Sequence, residues 1–163
     1  MDAHGAIRSA MNISSMILKS YLGDLEDSDL MSRPGEGCNH LAWQLGHLIS
    51  AEHDLLESIC PGTAASLPEG FAEQHNKEKV GDDDPAKFCT KEEYLAQMDR
   101  VRVATDAALD KLSAGDLDQP SPEHFRKMFP TVGDVFMLIS THGLMHAGQF
   151  VPVRRRAGKP IAI

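Results

Sequence analysis

Apolar residues recur every three or four positions in four long segments of the chain, which is the spacing of an α-helix that buries one face. The segments cover about residues 2–22, 39–59, 90–112 and 131–156, and glycine and proline residues separate them. Alternating apolar and polar residues never extend beyond a few positions, so no strand is predicted. In a chain of 163 residues, this pattern predicts one all-α domain, 1–163, folded as a four-helix bundle with a long connection between the second and third helices.

Helix-start signals lie at the beginning of three of these segments. Asn39 is a candidate N-cap of the second helix, because its side chain can accept a hydrogen bond from the first turn. Thr90 with Glu93, and Thr131 with Asp134, have the spacing of capping boxes. These pairs predict the starts of the third and fourth helices.

The connection between the second and third helices, residues 62–89, is long for a compact bundle. Its length indicates a functional loop or a lid over one end of the bundle. At the end of the fourth helix, Pro152 is expected to loosen the last turns. The arginine run 154–156 is either the last helical turn, where cations are favourable, or a contact for an anion.

Composition excludes several classes of function. The net charge of −8 argues against nucleic-acid binding, which requires a clustered basic face. No apolar run is long enough to span a membrane, and the N-terminus lacks the apolar core of a signal peptide, so a cytoplasmic protein is expected. Cys38, Cys60 and Cys89 have no disulfide or zinc-site spacing. They are expected to be small buried or loop thiols rather than nucleophiles.

The stretch "STHGLMHAGQFVPV", residues 140–153, places polar side chains where a core-facing helix needs apolar ones. With Val135 at zero on a helical wheel, His142 lies at about −20°, His146 at about +20° and Gln149 at about −40°. Each of these side chains, buried without a partner, would cost about 1–3 kcal/mol. Two histidines one turn apart can bind one metal ion or can be core histidines bonded to carbonyl or carboxylate oxygens. The spacing leaves both interpretations open.

A catalytic metal site usually needs a third protein ligand, and five other histidines are candidates for that role. His75, in the long connection, and His124, in a proline-rich linker, are expected to lie in solvent. On the second helix, His40 and His47 share one flank of the apolar stripe, and His53 lies on the other. Geometry alone favours His47 over His53 only slightly.

Two segments resemble the DinB/YfiT superfamily: "RPGEGCNHLAWQLGHLISAEHDLL" and, some 80 residues later, "THGLMHAGQFVPVRRRAGKP". The resemblance implies a four-helix bundle that forms a homodimer and binds a divalent metal ion, zinc or nickel, through three histidines. By motif these are His47 in "LGHL" and His142 and His146 in "HGLMHAGQ".

The resemblance also implies a function. The expected protein is a divalent-metal-dependent enzyme that activates water or a low-molecular-weight thiol, and acts on a small molecule as a hydrolase or a thiol S-transferase. The alternative is a non-catalytic dimeric bundle in which the metal is structural or senses a ligand.

Three further residues are candidates for the surroundings of this site. Gln149 is a candidate to orient a ligand or substrate. Glu52 lies on the apolar stripe of the second helix and either reaches the site, for example as the partner of a ligand histidine, or is the buried partner of a basic group. Trp43 is more typical of a core or interface residue than of a substrate platform.

Overall fold

The computed structural model describes residues 1–161, and within that range the regular secondary structure is helical. In chain order the α-helices are α1 (Ala3–Leu22), α2 (Asp27–Leu30), α3 (Leu41–Ile59), α4 (Phe71–Gln74), α5 (Lys91–Leu109), α6 (Ala114–Leu117) and α7 (Val132–Arg156). The four long helices α1, α3, α5 and α7 confirm the predicted all-α bundle. In the described residues, no helix combines the length and the apolar character needed to cross a membrane.

Two of the three predicted helix starts are confirmed. Thr90 and Thr131 begin α5 and α7 with complete capping boxes. The prediction of Asn39 as the cap of α3 is wrong, because the N-cap is His40, whose ring Nδ1 accepts a hydrogen bond from the Trp43 amide at 3.0 Å. The His40 ring is held in place by Nε2, which donates to the carbonyl of Asp82 at 3.0 Å. A partner so distant in sequence leaves no local signal.

Two parallel pairs of helices make the bundle. The core consists of two apolar clusters, one towards each end of the molecule. Helices α3 and α5 both contribute their first halves to one cluster and their second halves to the other, so they run in the same direction. Helices α1 and α7 contribute in the reverse order, and therefore run together in the opposite direction.

The parallel arrangement of α3 and α5 accounts for the long connection between them. A helix of 19 residues is about 28 Å long, and the chain must return over that distance before α5 begins. Residues 60–90 make this crossover with the single turn α4 and two short 3₁₀ turns, Lys77–Lys79 and Pro85–Lys87. Its length therefore follows from topology, and a lid over the bundle is not needed to explain it.

The last turns of α7 remain helical beyond Pro152, contrary to the expected loosening, and the helix ends at Arg156. The side chain of Arg154 is 1% exposed. Its Nη1 donates to the carbonyl of Tyr21 at 2.6 Å and to Asp24 at 2.5 Å. The arginine run is thus the final helical turn, and one of its guanidinium groups fastens α7 to the end of α1.

Candidate metal centre

Three histidine rings from two helices converge on one point. His47 on α3 and His142 and His146 on α7 each offer one ring nitrogen, and these nitrogens all lie within 4.8 Å of one another. The ring centroids are 5.0–5.5 Å apart. Among residues 1–161, no fourth histidine, cysteine or carboxylate joins this group. Three imidazole nitrogens so placed could hold one divalent metal ion.

The buried face of α7 is rotated from the one that the sequence predicted. The buried residues centre about 65° from Val135 on the wheel rather than near zero; they are Val135, Phe136, Ile139, Ser140, His146, Ala147, Phe150, Val153 and Arg154. His146 is therefore buried and His142 is half-buried at the edge of the stripe. Gln149 lies exposed, so the prediction that it points into the core is wrong, and its role towards a ligand stays a prediction.

A buried glutamine orients the ring of His146. Nδ1 of His146 donates to Oε1 of Gln44 at 2.9 Å, and Nε2 of Gln44 donates to the carbonyl of Asn39 at 2.7 Å. The second bond fixes which end of the amide faces the histidine, so Nε2 of His146 keeps its lone pair for a metal ion. Gln44 was not among the site residues predicted from the sequence. An uncharged polar residue within the apolar run "LAWQLGHL" was the available signal.

An indole ring supports His47 from one side. The rings of Trp43 and His47 are stacked, with centroids 5.0 Å apart and planes 7° from parallel. Trp43 is 5% exposed, as expected for a core residue. Its Nε1 donates to the carbonyl of Asn76 at 3.0 Å, so the long connection is bonded directly to the side chain that supports His47.

The prediction that His75 lies in solvent is wrong, because the crossover folds this residue back against α3. His75 is 3% exposed. Nδ1 donates to the carbonyl of Phe71 at 2.7 Å, and Nε2 accepts the hydroxyl of Tyr94 at 2.8 Å. The ring lies so close to Gly46 that a Cβ atom there would be 2.0 Å from its Cδ2. The His75 ring, 29 residues further along the chain, therefore leaves room only for glycine at position 46, directly before His47.

The remaining candidate histidines lie outside the group of three. His40 is fully buried as the cap of α3. Nδ1 of His53 is 2.9 Å from Asp54, and His124 is exposed, as predicted.

The three rings are neutral near pH 7. Burial, followed by the charges of the neighbouring rings, lowers the pKa of His142 and of His146 to about 4. Burial, followed by the charge of Lys77, also lowers the pKa of His47. No carboxylate contributes to any of these pKa shifts. Neutral imidazoles have free lone pairs, which is the state that metal binding requires.

Glu52 is the buried partner of a basic group, one of the two alternatives that its position left open. Its carboxylate accepts hydrogen bonds from Arg102 at 2.9 Å and from Thr105 at 2.8 Å. Burial raises the pKa of Glu52, against the opposing effect of Arg102. Glu52 and His142 line the same cavity between the long helices, but no bond joins them in the described structure.

These features define a class of protein: a helical bundle with two parallel helix pairs and three neutral imidazoles gathered from two of its helices. The DinB superfamily matches residues 13–150, a range that contains all three histidines, and the chain belongs to that superfamily. No curated protein matches the chain at a significant level.

Proposed function

We propose that the protein is a divalent-metal-dependent enzyme whose metal ion is held by His47, His142 and His146. One observation carries this proposal: three imidazoles converge, and no fourth protein ligand joins them within residues 1–161. Catalytic metal sites typically have three protein ligands and an open position, whereas structural sites are closed by four. The arrangement therefore fits a site that admits a water molecule or a substrate.

Zinc or nickel is the proposed metal, because neutral imidazole is a good ligand for both. When bound, such an ion lowers the pKa of a water molecule or of a low-molecular-weight thiol into the neutral range. The proposed reaction is hydrolysis of a small molecule or transfer of such a thiol to a small electrophile. Of the chain's own residues, Gln44 holds the tautomer of His146, and Trp43 holds the plane of His47.

A non-catalytic role is the second candidate, in which the ion braces α3 against α7 or senses a ligand. The observation in its favour is that the rings of the group come from these two helices and would link them directly. In either role we propose a homodimer. Large apolar side chains of α1 and α7 are exposed and could be covered by a second copy: Ile13 is 47% exposed, Met16 56% and Met145 60%.

Metal analysis tests the site itself. Protein purified without chelator should contain about one ion per chain, in line with a single three-ligand site. His142→Ala should lose that ion, whereas His53→Ala should keep it, because His53 lies outside the group. A wild-type protein without metal, or equal metal content in both variants, would contradict the ligand assignment.

Activity assays separate the two roles. The wild type and His146→Ala should be compared in a screen of ester hydrolysis, amide hydrolysis and thiol conjugation. A metal enzyme should show turnover that is lost in His146→Ala and on chelation. Bound metal with no turnover, together with a rise in melting temperature on metal addition, would favour the bracing role. Sedimentation of the same samples tests the dimer.

A further inference from the structure

A buried serine of α1 lies beside the ligand candidate His142 and has no hydrogen-bond partner within residues 1–161. Ser14 is 2% exposed and lies on the apolar stripe of α1, between Met11 and Leu18. A Cβ atom at Gly143, the residue after His142, would lie 2.8 Å from Oγ of Ser14, so the hydroxyl faces α7 at this point. Because a buried hydroxyl normally has a partner, Ser14 needs one that the protein itself does not supply.

The ring of His142 also lacks a partner for its second nitrogen. When a histidine binds a metal ion through one nitrogen, the N–H of the other typically donates to a carboxylate, a carbonyl or a water molecule. His146 has such a partner in Gln44. In the part of the chain that the structure describes, neither ring nitrogen of His142 makes a hydrogen bond. Of the two ligand candidates on α7, a protein group therefore orients only His146.

One cavity between the long helices joins these two groups. Ser14, His142, Gly143 and Glu52 all line it. Unlike the hydroxyl of Ser50, which is enclosed, that of Ser14 is open to contact by a water molecule. The cavity volume is about 20 Å³, and one water molecule needs roughly 10–15 Å³ and at least two polar partners. The remaining walls are mainly apolar: Leu18, Leu48, Ile49, Leu55, Met98, Val101 and Ile139, with Ser15 and Arg102.

We propose that Ser14 is a positioning residue for the metal ligand His142 and acts through one water molecule in this cavity. The water accepts the second N–H of the His142 ring and donates to Oγ of Ser14. This inference rests on the proposed function, because it needs a metal ion on His142. It extends the centre to α1, which contributes none of the three ligands. A ring held in this way keeps one tautomer and one orientation.

Cobalt(II) bound to the full chain provides two readouts that need no activity assay. Its affinity is measured by competition with a chelating dye. In the NMR spectrum of the cobalt protein, the ring N–H of each bound histidine gives a separate, strongly shifted signal, and its exchange with solvent is slow when the N–H is hydrogen bonded. The wild type is compared with Ser14→Ala, Gln44→Leu and Ser20→Ala. Ser20 is the matched control, because it is an exposed serine of the same helix.

Ser14→Ala should weaken cobalt binding by roughly threefold to tenfold. This loss is smaller than the 10- to 100-fold typical of a direct partner, because the water can stay on the ring after the hydroxyl is removed. One N–H signal should shift and exchange faster. Gln44→Leu should change a different signal, that of His146, and Ser20→Ala should change neither the affinity nor any signal.

The outcomes separate this inference from the proposed function. If the wild type does not bind cobalt, the metal site and this inference fail together. If cobalt binds and Ser14→Ala keeps the wild-type affinity and all N–H signals, only the role of Ser14 is refuted. A loss of affinity without a change in any N–H signal would also refute it, because the effect would then belong to packing. An equal loss in Ser20→Ala would refute it as well.

Discussion

Replacing Gly46 by alanine should destabilise the protein, even though alanine is the better helix former. A Cβ atom at this position would lie 2.0 Å from Cδ2 and 2.2 Å from Cγ of His75. The ring cannot simply move aside, because both of its nitrogens are bonded, one to the carbonyl of Phe71 and one to the hydroxyl of Tyr94. Relief of the clash therefore requires the loss of these bonds or a shift of the crossover.

The magnitude follows from opposing effects. Alanine gains about 1 kcal/mol over glycine in a helix interior. Displacing the ring loses two hydrogen bonds of about 1 kcal/mol each, and each polar group left buried without a partner costs about 1–3 kcal/mol. Overpacking a filled site costs about 1–3 kcal/mol in its own right. The net destabilisation should be about 2–4 kcal/mol, which lowers the melting temperature of a domain this size by roughly 5–15 °C.

Thermal and urea unfolding followed by circular dichroism measure this effect, and Gly148→Ala is the matched control. Gly148 also lies inside a long helix, but a Cβ there has no atom within 4 Å. This control should be as stable as the wild type or more stable by up to about 1 kcal/mol. In a His75→Ala background, Gly46→Ala should lose most of its penalty, because the two sites are coupled by direct contact. Equal stability of Gly46→Ala and Gly148→Ala in the wild-type background would show that the His75 ring does not exclude a side chain at position 46.

Two further predictions concern buried histidines. Gln44→Leu should weaken metal binding about 10- to 100-fold, because the ring of His146 loses its hydrogen-bond partner. Metal affinity is measured by competition with a chelating dye, and Gln149→Leu, at an exposed position, is the control. Equal metal affinities of Gln44→Leu and Gln149→Leu would exclude the orienting role of Gln44. Burial lowers the pKa of His40 and of His75 below the ordinary value, so the unfolded chain takes up protons first as the pH falls. Stability should be complete above about pH 6.5 and decline below it, by at most about 1.4 kcal/mol per pH unit for each histidine. Urea unfolding in chelator, followed by the fluorescence of the single tryptophan, should show a lower midpoint at pH 5.5 than at pH 7.5, and equal midpoints would contradict the prediction.

The helices could be predicted from sequence because the determining interactions are local. Apolar spacing and the capping boxes at Thr90 and Thr131 act within a few residues, and both starts are where the sequence indicates. The parallel run of α3 and α5 has no such local signal. Its consequences, the burial of His75 and the use of His40 as a cap, were therefore not predictable from spacing.

The candidate site was only partly predictable, for a related reason. The helical wheel placed His142 and His146 on one side of the fourth helix. The centre of the buried face that it predicted, however, lies about 65° from the centre that the structure shows. That error is large enough to move Gln149 from the core to the surface. His47 was favoured over His53 mainly by the resemblance to a family, since the flank of a helix does not show what faces it. Gln44 became recognisable only through its partner on α7.

The crossover is part of the candidate centre rather than a separate loop. It contacts the start of α3 at three residues that precede His47. The carbonyl of Asp82 accepts a hydrogen bond from the N-cap His40, the carbonyl of Asn76 accepts one from the Trp43 indole, and the His75 ring packs on Gly46. Each contact constrains the first turns of α3, from which His47 projects. A change in the crossover should therefore alter metal affinity without touching a ligand. The side chains that support His47 therefore depend on the folding of this one segment.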